Sequence, residues 1–273
     1  MMGVSTRKLN SGAEMPVIGL GVWQVADEEA ADVVATAIGA GYTSIDTAAI
    51  YGNERGVGEG IRRAGSPRES LFVTTKVWND RQGYDATLKA FDKSLSRLGL
   101  DYVDLYLIHW PAPRQDLYLD TWKALEKLNA EGRARSIGVS NFQIPHLERL
   151  FDHSGIRPAV NQIELHPSLQ QAELRAFHAA HGIATEAWSP LQRGAVNRPE
   201  IVTIAAKHGR TPAQAILRWH VQLGNIAIPK SVTPSRIREN IAVFDFELDA
   251  ADMAAIERLE SGRRTGPDPD TFS

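Results

Sequence analysis

Apolar residues along this chain cluster in short runs separated by longer amphipathic stretches. Eight runs are dominated by continuous apolar or β-branched residues: "VIGLGVW" (17–23), "TSID" (43–46), "LFVTTKV" (71–77), "YVDLYLIH" (102–109), "RSIGVS" (135–140), "VNQIEL" (160–165), "IATEAWS" (183–189) and "IAIPKS" (226–231). That pattern suits parallel strands covered on both faces. The intervening stretches have helical spacing. Leu88, Phe91, Leu95 and Leu98 recur at i, i+3, i+7 and i+10, and Gly99 follows as a stop. Trp122, Leu125 and Leu128 repeat the pattern before Gly132. In "TPAQAILRWH", Thr211 is placed to cap, Pro212 to open and Gln214 to complete a capping box.

Strand and helix signals alternate, and most units repeat at roughly 25–30 residues, the length of one βα unit. Eight such units predict a closed (β/α)8 TIM barrel in one domain spanning 1–273. The preceding "TRKLNSGAEMPVI" predicts a small β-hairpin closing the barrel bottom.

Composition narrows the function. The 273 residues are 43% hydrophobic, enough for a large core. Lysine plus arginine number 30 against 33 acids, a net charge of −3, and no basic run interleaves with aromatics. Nucleic acid is therefore not an expected partner. Without cysteine there is no disulfide, thiolate nucleophile or cysteine zinc site. The first twenty residues lack an apolar leader core, and no apolar run approaches the ~20 residues of a membrane span. The expectation is a soluble cytoplasmic protein with no membrane partner.

In a parallel barrel the C-terminal ends of all strands meet on one face. Strand two closes on Asp46 with Tyr51 in the next loop, strand three on Lys76 and strand four on His109. Taken singly, these could be a helix cap, loop packing, a surface charge and an interior histidine. Together they place a carboxylate, a phenol, an ammonium and an imidazole around one point. A buried lysine needs a partner, and Asp46 is available. The ammonium should lower the phenol pKa from its ordinary ~10 and ease proton donation. The imidazole could hold a carbonyl oxygen. Such a set would protonate an oxygen on which negative charge grows, and the missing component is a hydride donor.

"IPKSVTPSRIREN" (228–240) ends the eighth strand and opens a helix at Thr233-Pro234. Lys230, Ser231 and Arg236 there suit a 2′-phosphate, unless they are only a basic helix start on the surface. Ser140, Asn141 and Gln162 could hydrogen-bond a carboxamide, and Trp188 offers a flat face, although each could be barrel filling. "GLGVW" does not match a dinucleotide fingerprint. His166 reads as a turn residue before Pro167, and no metal site is assigned.

These segments resemble the aldo-keto reductase family, and within it the bacterial 2,5-diketo-D-gluconate reductase branch. The carriers are "GLGVW", "SIDTAAIYGNE", "LFVTTKVWND", "DLYLIHWP", "RSIGVSNF", "AVNQIELHP" and "IPKSVTPSRIRENIAVFDF", in family order over nearly the whole chain. The resemblance implies a catalytic tetrad of Asp46, Tyr51, Lys76 and His109, with Tyr51 the proton donor. It implies NADPH, with the carboxamide at Ser140, Asn141 and Gln162 and the ring on Trp188. The adenosine phosphate would meet Lys230, Ser231 and Arg236, with Val232, Glu239 and Asn240 near the adenine. Val22, Trp23, Asp46, Ser189, Leu191 and Thr233 complete the expected cofactor contacts.

The implied pocket walls are Trp23, Ile50, Trp78, His109 and Trp110. The short tail "SGRRTGPDPDTFS" and the short segment 191–198 imply an open mouth. The expected activity is reduction of small aldehydes, α-dicarbonyls or keto sugars by a monomer, with a small carbonyl compound as partner. A nucleotide-sensing barrel would have no need for Tyr51 beside Lys76. A metal-dependent hydrolase would need ligands that the strand ends lack.

Overall fold

The computed structural model describes residues 5–192 and 194–273. Strands β1 (Thr6–Lys8) and β2 (Glu14–Pro16) form an antiparallel hairpin with Thr6 opposite Pro16. Leu9 and Met15 from this hairpin are buried with Phe72, Leu105, Leu107, Val160 and Ile226. Asn10 donates to the Pro158 carbonyl, and the hydroxyls of Ser11 and Ser136 lie 2.8 Å apart. The hairpin thus seals the end of the barrel where the strands begin, as its position before the first barrel strand predicts.

Eight parallel strands follow: β3 (Leu20–Gly21), β4 (Ser44–Asp46), β5 (Phe72–Val77), β6 (Val103–Ile108), β7 (Ala134–Ser140), β8 (Val160–Glu164), β9 (Ala184–Trp188) and β10 (Ile226–Ala227). They lie side by side in chain order. Parallel bridges Ile18–Ala227 and Gly21–Lys230 join the last strand to the first and close the barrel. The closing hydrogen bonds include Ala227 N to the Val17 carbonyl at 2.9 Å and Gly19 N to the Ala227 carbonyl at 3.0 Å. Every residue of β5 and β6 is buried, which suits their mainly apolar and β-branched sequences.

Helices α1 (Asp27–Gly39), α2 (Glu54–Ala64), α3 (Tyr84–Leu98), α4 (Tyr118–Ala130), α5 (Ile144–His153) and α6 (Ala172–Ala180) each follow one strand. Two helices, α7 (Pro199–Lys207) and α8 (Pro212–Gln222), separate β9 from β10. Helices α9 (Pro234–Ile241) and α10 (Ala250–Glu257) complete the chain. The local signals act as the spacing predicts. Helix α3 buries Phe91, Leu95 and Leu98 and stops at Gly99, which takes φ 65°. At α8 the Thr211 hydroxyl accepts from Gln214 N while the Gln214 side chain accepts from Thr211 N. Helix α2 instead depends on glycine. A Cβ on Gly58 would lie 2.0 Å from the Leu98 carbonyl oxygen, so any side chain there would push α2 off the end of α3.

Candidate active site

The polar residues gather at the strand ends because each follows an apolar run that the barrel buries. Asp46 closes β4, Lys76 precedes the last residue of β5 and His109 follows β6. Tyr51 closes a single 3-10 turn, Ala49–Tyr51, and Gly52 leaves that turn at φ 69°. Asn53 pins the loop from beneath. Its amide nitrogen donates to the Val22 and Val25 carbonyls at 2.9 Å each, and its oxygen accepts from the Thr47 hydroxyl at 2.7 Å. The sequence reading passed over Asn53. The "YGNE" turn signal marked the place, but its reach back to the first barrel strand is a tertiary contact.

The four residues do converge. Lys76 Nζ lies 2.6 Å from Asp46 Oδ1 and 2.9 Å from the Thr47 carbonyl oxygen, with no solvent access. The ammonium stands 5.2 Å from the centre of the Tyr51 ring. The Tyr51 and His109 rings meet edge to face, 5.7 Å between centres.

Electrostatics corrects one expectation. Burial pushes the Tyr51 phenol above its ordinary pKa. Lys76 pulls the other way but does not win. Tyr51 is therefore a fully protonated acid at neutral pH, not a phenol primed to ionise. For Lys76, burial favours the neutral amine, yet the negative charge of Asp46 and its hydrogen bond to the ammonium act against that, and the pKa is held above normal. Burial, and then the charge of Lys76, drive His109 well below the ordinary imidazole value. Its ring is neutral, and its buried Nδ1 has no hydrogen-bond partner among the described residues.

Next to these four residues, Ser140 closes β7, Asn141 follows it and Gln162 lies in the middle of β8, all three buried. The Asn141 amide nitrogen donates to the His109 carbonyl and to Ser140 Oγ, both at 3.0 Å. Its oxygen accepts from the Trp188 indole at 2.8 Å. Asn141 holds φ 64°, a backbone conformation that asparagine tolerates better than most residues. One side chain thus fixes the backbone beside His109 and the plane of Trp188. Gln162 Nε2 donates to Asp46 Oδ2 and to Glu186 Oε2, each at 2.8 Å. Glu186 was not singled out from sequence, because within "ATEAW" alternation alone marks it as inward-facing and gives it no role.

Around the mouth the expected residues differ in exposure. Trp23, Ile50 and Val232 are exposed, and Trp188, Ser189 and Leu191 are half-buried. Lys230, Thr233 and Arg236 are exposed, and neither cation joins an ion pair among the described residues. Ser231 Oγ accepts from Thr233 N at 3.1 Å, and no side chain caps α9. Besides Ser140, Asn141 and Gln162, three further expected contacts are already engaged or enclosed. Glu239 accepts from the Thr211 hydroxyl at 2.6 Å, and the Val22 side chain is fully buried, so only its backbone can face a ligand. Asn240 is also buried.

The expected open mouth is corrected. The tail folds back over it, and Phe272 packs 4.7 Å from Trp110 and 6.2 Å from Trp78. Trp110 is consequently 6% exposed and presents little free wall. Trp78 stays half-buried, 5.0 Å from the His109 ring and edge-on to it. The tail is clasped at Glu164, which closes β8. Its carboxylate accepts from Thr265 N at 2.6 Å and Gly266 N at 3.1 Å, and lies 3.0 Å from His166 Nε2. The turn at His166 is as expected, with backbone bonds to Leu169 in both directions, but the ring has this further carboxylate partner. Of the short segment 191–198, Arg193 lies outside the described residues.

A sequence model described as the aldo/keto reductase family matches residues 17–261. The chain belongs to that family. Among curated relatives of this reductase, methylglyoxal reductase DkgA of Yersinia pestis is 54% identical over 268 residues, 97% of this chain and 96% of the relative. The glyoxal reductase of Bacillus subtilis is 55% identical over 267 residues, with 97% and 96% covered. Among solved structures, an aldo/keto reductase from Brucella melitensis superposes with TM-score 0.93 at 57% identity, covering 95% of this reductase and 99% of that chain. A variant of Gox0644 in complex with NADPH gives TM-score 0.95 at 51% identity, with 99% of each chain covered. No group of three or more metal-ligating side chains occurs among the described residues of the reductase, and no described helix could cross a membrane.

Proposed function

We propose that this chain reduces small aldehydes, α-dicarbonyls or keto sugars to alcohols, with NADPH as hydride source and Tyr51 as proton donor. The observation that carries the reading is the enclosed Lys76–Asp46 pair beside the Tyr51 ring, which His109 meets edge to face. The names of the relatives, methylglyoxal and glyoxal reductases, support the substrate class.

The donor set fits NADPH. Lys230 and Arg236 are exposed cations that join no ion pair among the described residues, beside Ser231 and an uncapped helix start, which suits a 2′-phosphate. Trp188, locked by Asn141, offers a fixed face for a nicotinamide. When bound, NADPH supplies a hydride to the carbonyl carbon. Trp23, Ile50 and Trp78, with Phe272 of the tail, wall the substrate.

The chain's own residues handle the oxygen. In the tautomer that carries its proton on Nε2, the neutral His109 ring can donate a hydrogen bond to a carbonyl oxygen. Tyr51 transfers its proton as charge builds on that oxygen. The raised phenol pKa means that the proton is present to give. The Lys76 cation then interacts most strongly with the phenolate as it forms, a gain concentrated in the transition state. Asp46 and the Thr47 carbonyl keep Lys76 charged and still. Catalysis here rests on groups already oriented in a water-poor site. Oxidation of NADPH by methylglyoxal, with product analysis, tests the reading. Absence of carbonyl-dependent oxidation over a panel of aldehydes and dicarbonyls would refute it.

A further inference from the structure

Proton donation by Tyr51 needs Asp46 and Lys76, but a second carboxyl group stands beside them. Glu186 points into the barrel from β9, is closed to solvent, and faces Gln162 across the β8–β9 ladder. Gln162 Nε2 bridges Glu186 Oε2 and Asp46 Oδ2 at 2.8 Å each, and Asp46 Oδ1 holds Lys76. One continuous chain of contacts therefore runs from Glu186 through Gln162 and Asp46 to Lys76. The other oxygen, Glu186 Oε1, is buried and has no hydrogen-bond partner among the described residues.

Charge balance decides the state of this group. Asp46 and Lys76 neutralise each other. An ionised Glu186 would leave one uncompensated charge in a cluster closed to solvent, and part of it on an oxygen that no protein group among the described residues hydrogen-bonds. A protonated Glu186 leaves the cluster neutral. The groups facing it are Asp46 from β4, Lys76 from β5, Tyr51 from the turn after β4 and the uncharged Gln162 amide from β8. From β10 the paired residue is Ile226. Burial, and then the charge of Asp46, push the Glu186 carboxyl up to about 8, against smaller pulls from Gln162 and Lys76.

We propose that Glu186 is a positioning residue that enters the reaction as a neutral acid, and that loss of its proton slows carbonyl reduction. The inference rests on the reductase reading above. A neutral Glu186 keeps the Gln162 nitrogen turned toward the two carboxyl groups, leaving the Gln162 side-chain oxygen as the free acceptor. An ionised Glu186 adds negative charge near Tyr51 and Lys76 and raises both their pKa values. A phenol with a higher pKa is a weaker acid toward the carbonyl oxygen. Reduction therefore falls as pH rises through the Glu186 pKa, before Tyr51 itself ionises.

Two measurements test this on the full-length protein. The first is infrared titration of the cofactor-free protein across pH 6 to 10. A protonated-carboxyl band that disappears near pH 8, and is missing from Glu186→Gln, supports the proposal. No such band at pH 6 overturns it. This arm needs no turnover, so its failure is separate from failure of the reductase reading. The second is the pH profile of kcat with methylglyoxal. Glu186→Gln, whatever its rate at neutral pH, should lose the inflection near pH 8, while Glu186→Asp keeps a displaced one. An inflection at the native position in Glu186→Gln overturns the proposal.

Discussion

Lys76 and Asp46 form an ion pair of 2.6 Å whose side chains are 0% and 3% exposed. Neither charge has water to fall back on, so each depends on the other. Replacing Asp46 with Asn leaves the ammonium in a dry site with a neutral partner. Breaking such a pair costs about 3–5 kcal/mol. Asp46→Asn is therefore expected to lower the melting temperature as well as kcat. A variant with native melting temperature and slow turnover would assign Asp46 to chemistry alone.

The neutral His109 sets the acid side of the pH profile. Its pKa lies well below 6.5, so the folded protein does not protonate it as pH falls from 7.5 to 6. The ring goes on donating to the substrate over that range, and kcat should show no imidazole inflection there. NMR of the His109 ring nitrogens checks this directly. A titration in the ordinary imidazole range would remove the neutral-donor role.

Cofactor choice is expected to depend on Arg236. The side chain is exposed and joins no ion pair among the described residues. A charged hydrogen bond to a phosphate contributes about 1.5–3 kcal/mol. Arg236→Ala should then weaken NADPH by roughly tenfold or more while leaving NADH nearly unchanged. Dissociation constants for both cofactors decide it, and equal losses would mean that Arg236 does not read the 2′-phosphate.

Substrate ranking is expected to depend on Trp78 and on the tail that meets it. Trp78 touches His109 on one side and Phe272 on the other. Trp78→Ala should reorder a panel of aldehydes and dicarbonyls with only a modest loss of thermal stability. Phe272→Ala should admit bulkier carbonyl compounds, because the ring covers Trp110. An unchanged ranking in both variants would make these rings packing and nothing more.

Much of this was legible in the chain itself. All eight barrel strands follow the apolar runs, because strands buried on both faces leave an unbroken signal. The convergence of Asp46, Tyr51, Lys76 and His109 was legible for a related reason. A polar residue at the end of each run can only lie at the barrel mouth. The electrostatic outcome was not legible. The contest between burial and Lys76 at Tyr51 depends on how much water the fold removes, which no spacing records. The tail escaped for a similar reason. "SGRRTGPDPDTFS" has neither helical nor strand periodicity, and its order comes from Glu164, about a hundred residues earlier in the chain. Glu186 and Asn53 likewise gain their roles only from partners on other strands and loops.

The central claim is that Tyr51 gives the proton while NADPH gives the hydride. The most direct test is Tyr51→Phe, assayed for methylglyoxal-dependent NADPH oxidation alongside NADPH binding by fluorescence. Loss of general-acid catalysis is expected to lower kcat by roughly 10²–10⁴-fold while the NADPH dissociation constant stays close to native. Turnover within about twofold of the native protein would contradict the account and remove Tyr51 from the acid role.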